Sequence, residues 1–330
     1  DYTPEEKQES TDLAKSCEED FKTFLKEVFQ YPDYDEALHG SLADFLAKPV
    51  TGNYKDKYYP TRSDLVRRAK GGGEEVKPEK FTKDDPYGKA IDGNFRGVLI
   101  VRRGPKRKLI LIPRGHLKSS IITVAYTVWR IIKDPAIHVL VANAVASNAW
   151  KFLKGMKWQF THNERIKELW PDLFLDMKRI LSENIVWARN EFCVPREMEY
   201  EAGEATVEGM GVGGNLVSRH YDLIIADDLV NNKNVKTPYM IEQTLEWYQN
   251  MHALLDPDGE LVVVGTMWDY GDLYSDLIYK AENNQEFSLF IATDVGVDDK
   301  PLYPKKYSRE ILKALERDLG PYKYSCQYRN

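Results

Sequence analysis

Leu109-Ile-Leu-Ile-Pro-Arg-Gly-His-Leu-Lys-Ser-Ser120 is the stretch on which the fold is read. Leu109 to Ile112 is a short apolar run that predicts a strand, and Leu117 to Ile132 has the spacing of a helix that stops at Asp134-Pro135. A strand-to-helix turn offers free amides at a helix N-terminus, where the helix dipole favours an anion. Lys118 adds a point charge in the first turn, and the Ser119 hydroxyl is of the kind that ligates Mg2+. Against the pattern G-x-x-x-x-G-K-[ST], Ile112 and Leu117 replace the two glycines and only Gly115 remains. On this segment alone, a surface turn with a solvated lysine stays open as the other reading.

Working outward, Tyr221-Asp-Leu-Ile-Ile-Ala-Asp-Asp228 contains a buried strand, Leu223 to Ala226, ending in two carboxylates. Parallel α/β folds bind ligands at that carboxyl edge. Asp227 there suits Mg2+ and Asp228 suits a nucleophilic water, although an acidic strand-to-loop turn is common in itself. The two segments supply what each other lacks. Further strands are expected at Ile137–Ala142 and Leu261–Val264, and helices at Ser147–Phe160 and Pro238–Leu254, with a turn at Asp256-Pro-Asp-Gly259. Strands alternating with helices imply a mainly parallel sheet flanked by helices. Residues 4–30 predict one amphipathic helix burying Leu13, Cys17, Phe21, Phe24, Leu25 and Val28, and Glu36–Leu46 a second. Residues 50–107, rich in Gly, Pro and Tyr, read as an irregular insertion.

Other segments carry weaker signals. The strand Leu261–Val264 runs into Gly265-Thr266, where a threonine is suited to sensing a γ-phosphate. Gly209-Met-Gly-Val-Gly-Gly-Asn-Leu-Val-Ser-Arg219 is a glycine-rich loop whose Arg219 is a candidate for stabilising phosphoryl transfer, or simply a surface arginine. The six histidines show no paired spacing that suggests zinc. Lys151, Lys154 and Lys157 share one helix face, a candidate for DNA contact, while the basic run Arg102–Lys108 reads as solvated charge.

Composition bounds the partners. The 330 residues carry 46 Lys+Arg and 52 Asp+Glu, a net charge of −6, which excludes coating of nucleic acid by bulk charge. Three dispersed cysteines form neither a disulfide framework nor a CxxC site and suit a reducing compartment. No apolar stretch reaches the length that spans a bilayer, so no membrane partner is expected.

Taken in order, these segments resemble the ATPase part of tailed-phage terminase large subunits, the motors that package viral DNA. The resemblance runs from about Glu36 to the end, across the 50–107 insertion. It implies a P-loop NTPase fold with a small C-terminal lid, divided into an N-terminal arm (1–35), an ATPase core (36–270) and a lid (271–330). By resemblance, Pro113, Arg114, Gly115, His116, Leu117, Lys118, Ser119 and Ser120 form a deviant Walker A loop for ATP. Arg114 then approaches the γ-phosphate, Lys118 the β/γ-phosphates and Ser119 the magnesium. Asp227 holds the metal, and Asp228 is the catalytic carboxylate, more often Glu in the family. Thr266 belongs to the coupling motif, Arg219 matches a catalytic arginine, and Ala37-Leu-His39 resembles the adenine-contacting segment. Pro304–Tyr328 resembles the segment leading out of the ATPase part.

The implied activity is Mg2+-dependent ATP hydrolysis that drives double-stranded DNA into a procapsid. Implied partners are the portal, the small terminase subunit and further copies in a ring, in the host cytoplasm and outside the mature virion. Only 64 residues follow Thr266, too few for the family's nuclease domain of roughly 100 to 150 residues, so no DNA cleavage is expected. A helicase-like P-loop translocase and a non-catalytic nucleotide- or DNA-binding module are the alternatives.

Overall fold

The computed structural model describes residues 3–47, 98–101, 106–196, 204–214, 219–269, 271–283, 287–295 and 300–330. Most of the 50–107 segment, and residues 215–218 of the glycine-rich loop, lie outside the described residues. The strands in chain order are β1 (Val98–Val101), β2 (Arg107–Leu111), β3 (Val139–Asn143), β4 (Glu191–Phe192), β5 (Val207–Gly211), β6 (Tyr221–Asp227), β7 (Leu255–Gly265) and β8 (Phe287–Ala292). The chain forms two compact units. Unit one holds Asp1–Tyr34 with Leu117–Val264, and unit two holds Asp35–His116 with Gly265–Asn330.

In unit one, β7, β6, β3 and β5 lie side by side and parallel, with β4 antiparallel at the edge. Apolar runs make this possible. Val139, Leu140, Val141, Ile224 and Ile225 are fully buried, as strands covered on both faces must be, and each such side chain contributes about 1.5–3 kcal/mol. After β3 the chain moves to β5 on one side, and after β6 it moves to β7 on the other. The carboxyl ends of β3 and β6 are therefore a topological switch point, the place where open α/β sheets take ligands. Asn143 and Asp227 stand there. In unit two, β8 is central, parallel to β2 and antiparallel to β1.

Three expectations are corrected. The N-terminal helix breaks at Asp20 into Pro4–Glu19, Phe21–Phe24 and a π-helical turn, Leu25–Phe29. Asp20 adopts an extended conformation because its carboxylate caps the next helix, accepting from the Thr23 amide at 3.0 Å and its hydroxyl at 2.7 Å. The helix expected over Leu117–Ile132 is π-helical from Ser119 to Tyr126 and α-helical from Thr127 to Lys133. The turn at Asp256–Gly259 sits inside β7 as a bulge. Tyr221 faces Leu255 while Leu223 faces Glu260, so the four turn residues bulge out opposite a single residue of β6.

The N-terminal helices pack inside unit one. Trp129 Nε1 donates to the Cys17 carbonyl at 2.8 Å, and the Phe21 ring lies 5.2 Å from that of Trp129. Among the described residues, no helix is long and apolar enough to cross a membrane.

Candidate functional site

The chain enters unit one at Leu117, whose φ is +58°, the left-handed conformation that glycine adopts without strain. A leucine holds the backbone that the expected phosphate loop assigns to its second glycine. The next residue, Lys118, is buried and extends its Nζ to Asp228 Oδ1 at 2.5 Å. One helical turn beyond Ser119, Thr123 donates its hydroxyl to Asp227 Oδ2 at 2.5 Å. The sequence reading did not include Thr123, although it lies four residues after Ser119 on the same helix face.

The acidic strand end is held by its backbone. Asn143 Nδ2 donates to the Asp227 carbonyl at 2.6 Å, Ala144 N–H to the Asp228 carbonyl at 3.1 Å, and Asp228 N–H to the Val264 carbonyl at 2.8 Å. Asp228 has a φ of +50°, a second left-handed non-glycine residue at the same place. Asn143, a lone amide ending an apolar strand, also escaped the sequence reading.

Burial pushes the Asp227 carboxyl up to about 6, and the neighbouring Asp228 charge adds to this. Lys118 and the Thr123 and Ser119 hydroxyls pull the other way. The side chain is fully buried, yet its Oδ1 has no hydrogen-bond partner among the described residues. An orphaned carboxylate oxygen beside a hydroxyl suits Mg2+, which takes one or two protein oxygens and completes its shell with phosphate and water. No cluster of three or more His, Cys, Asp or Glu among the described residues forms a dedicated metal cage.

Unit two holds the first half of the loop. Pro113 is buried and Arg114 exposed. The Arg114 amide donates to the Gln327 carbonyl at 3.3 Å, and its own carbonyl accepts from the Tyr307 hydroxyl at 3.1 Å. Lys306 Nζ donates to the Gly115 carbonyl at 2.9 Å. Gly115 has a φ of +76°, and a Cβ there would meet the Tyr307 hydroxyl at 2.0 Å, so only glycine fits. His116 stacks on Tyr307 with ring centroids 4.9 Å apart, and burial lowers its imidazole to about 4, so it is neutral.

His39 is fully buried, and both of its ring nitrogens are engaged. Nδ1 accepts from the Asp35 amide at 2.8 Å, which leaves Nε2–H to donate to the His116 carbonyl at 3.3 Å. Thr266, also buried, donates to the Ile112 carbonyl at 3.3 Å. Gly265 lies against the Tyr274 ring, 2.2 Å from where a Cβ would be.

Back in unit one, the Ser120 carbonyl accepts from the Tyr31 hydroxyl at 3.0 Å. Arg219 is bonded to Glu208, which also accepts from Tyr221 at 2.6 Å. Lys157 contacts the Ala188 carbonyl and lies 5.3 Å over the Trp187 ring, while Lys151 and Lys154 of the same helix are exposed.

No family model matches the chain. It is 25% identical over 202 residues to the terminase large subunit of Enterobacteria phage T3, a match that covers 58% of this chain and 30% of that protein. The chain thus matches less than a third of its relative's length. Among solved structures it is similar to the large terminase ATPase domain of Thermus phage P74-26, with 15% identity, 82% of this chain and 98% of that one covered, and a TM-score of 0.43. An arginine-to-alanine variant of the same domain aligns over the same shares at 14% identity with a TM-score of 0.41.

Proposed function

We propose that this chain is the ATP-hydrolysing part of a phage terminase large subunit, spending Mg2+-ATP to move double-stranded DNA into a procapsid. One observation carries the reading: Lys118, Ser119 and Thr123 converge on Asp227 and Asp228 at the switch point of a parallel sheet. The similarity to the phage T3 protein supports the same conclusion from sequence.

In this reading, Pro113 to Ser120, one continuous loop by covalent connection, wraps the triphosphate. Lys118 exchanges Asp228 for the β- and γ-phosphates, and the freed Asp228 carboxylate orients water for in-line attack. Ser119 and the orphaned Asp227 oxygen hold Mg2+, which, when bound, spreads the charge of the phosphates. Arg114 stabilises the γ-phosphate, and Thr266 passes its state to residues 271–330, read as the lid. Arg219, already neutralised by Glu208, is the weaker candidate for transition-state charge, and His39 is a poor adenine contact with both nitrogens engaged. DNA is gripped through its backbone, with little sequence preference. Portal, small subunit and ring neighbours are the partners this role calls for, in the host cytoplasm.

Steady-state phosphate release with Mg2+, with and without duplex DNA, tests the reading. Lys118→Ala is expected to reduce turnover by at least a hundredfold while the fold survives. Wild-type turnover in that variant removes the assignment, and strand separation by the isolated protein shifts it to a helicase.

A further inference from the structure

Several cations of unit one are paired with carboxylates, whereas Arg114 of unit two is held in another way. Lys118 is paired with Asp228, Arg130 with Glu260 and Arg219 with Glu208. Among the described residues, Arg114 has no carboxylate partner and none of its side-chain donors is bonded. Its guanidinium lies instead on the indole of Trp268, 4.7 Å from the ring centroid. A guanidinium stacked on an aromatic face keeps its charge and leaves its in-plane N–H donors open at the edge. Such an arginine is already oriented for a planar fork of anionic oxygens.

The backbone that carries the indole is itself tied down. The Trp268 amide donates to Asp272 Oδ2 at 3.0 Å, and the Asp269 amide to the same oxygen at 3.3 Å. Asp272 Oδ1 accepts from the amides of Tyr274 at 2.9 Å and Ser275 at 3.3 Å, so one buried carboxylate ties the 268–269 loop to the start of helix Leu273–Asn283. On the other side, the Met267 amide donates to Asn330 Oδ1 at 3.4 Å. Trp268 thus stands two residues after Thr266, on backbone whose amides at 267, 268 and 269 are all bonded.

We propose that Trp268 is a positioning residue whose indole face holds the Arg114 guanidinium ready for the outermost phosphate of ATP and ties its pose to the Gly265–Met267 segment. This rests on the ATPase reading above. Preorganised charge acts on the transition state more than on the bound ground state, so Trp268 belongs to catalysis and to γ-phosphate discrimination rather than to general nucleotide affinity.

The test compares Trp268→Phe, which keeps an aromatic face, with Trp268→Leu, which keeps apolar bulk without one. Both are made alone and with Arg114→Ala. The readouts are kcat and KM for Mg-ATP, and the affinities for ADP and a non-hydrolysable ATP analogue. Trp268→Leu is expected to lower kcat and the preference for the analogue over ADP by on the order of tenfold, with ADP affinity unchanged. Trp268→Phe should recover most of both, and Trp268→Leu should add nothing once Arg114 is alanine. The proposal is overturned if the Leu variant matches wild type, if Phe is as poor as Leu, if ADP and analogue weaken equally, or if the two substitutions add. A Lys118→Ala protein that hydrolyses normally removes the ATPase reading itself. An inactive Lys118→Ala beside an unaffected Trp268→Leu removes only the tryptophan's role.

Discussion

Lys118 and Asp228 neutralise each other at 2.5 Å, so both candidate catalytic groups are occupied before any phosphate arrives. Replacing Asp228 by Asn removes the charge but keeps the shape. Nucleotide binding should hold or tighten as Lys118 is released, while hydrolysis falls by about a hundredfold or more for want of a group to orient water; an equilibrium binding assay beside a phosphate-release assay separates the two. Asp227 carries a pH dependence of the opposite sense to most carboxylates. Its folded pKa is raised above the unfolded value, to about 6, so its contribution to stability is present below about pH 4 and lost as pH rises through about 6. Asp227→Asn should therefore stabilise the nucleotide-free protein at pH 7 by on the order of 2 kcal/mol and flatten this part of its pH profile, as urea unfolding would read out. The same variant should lose Mg2+-dependent turnover, and wild-type turnover should decline as pH falls below about 6.

At the scale of elements, the helical segment after Lys118 is locked to β7 away from the acidic end. Glu260 accepts from the Tyr126 hydroxyl at 2.9 Å and pairs with Arg130, linking the Ser119–Lys133 helical stretch to the strand that leads to Gly265. Arg130→Met should remove the cation that pairs with Glu260 and destabilise by about 2 kcal/mol, less than for a fully buried pair because Arg130 is 26% exposed. Adding Glu260→Gln should recover part of the loss, and midpoints of urea denaturation decide it. Most of these elements were legible in the sequence, since the runs at 109–112, 137–142, 223–226 and 261–264 are long enough in Val, Ile and Leu to exclude surface loops. What local pattern misjudged has identifiable causes. Asp20 prefers to cap rather than continue a helix, and Asp256–Gly259 could be absorbed as a bulge because β6 continues past it. The acidic pair and its lysine could be read from spacing, whereas Thr123, Asn143 and Trp268 depend on which strand ends become neighbours, which sequence order does not reveal.

For the whole molecule, any ligand that binds the native chain alone raises its stability in proportion to its saturation. Mg-ATP at about a hundred times its Kd should add about 2.7 kcal/mol, seen as a rise in Tm. Lys118→Ala should show almost none of that rise at the same concentration. A net charge of −6 means that grip on DNA depends on local positive surface, so any stimulation of turnover by duplex should fade steeply with added salt.

Leu117 and Asp228, both with positive φ, set up a conflict between two kinds of selection. A library screened only for soluble expression would drift toward glycine at the first and glycine or asparagine at the second, since neither then bears the backbone penalty. Under the proposed role, a library screened for nucleotide turnover would hold the acid at the second site and reveal whether the leucine's side chain serves that turnover or is merely tolerated by it.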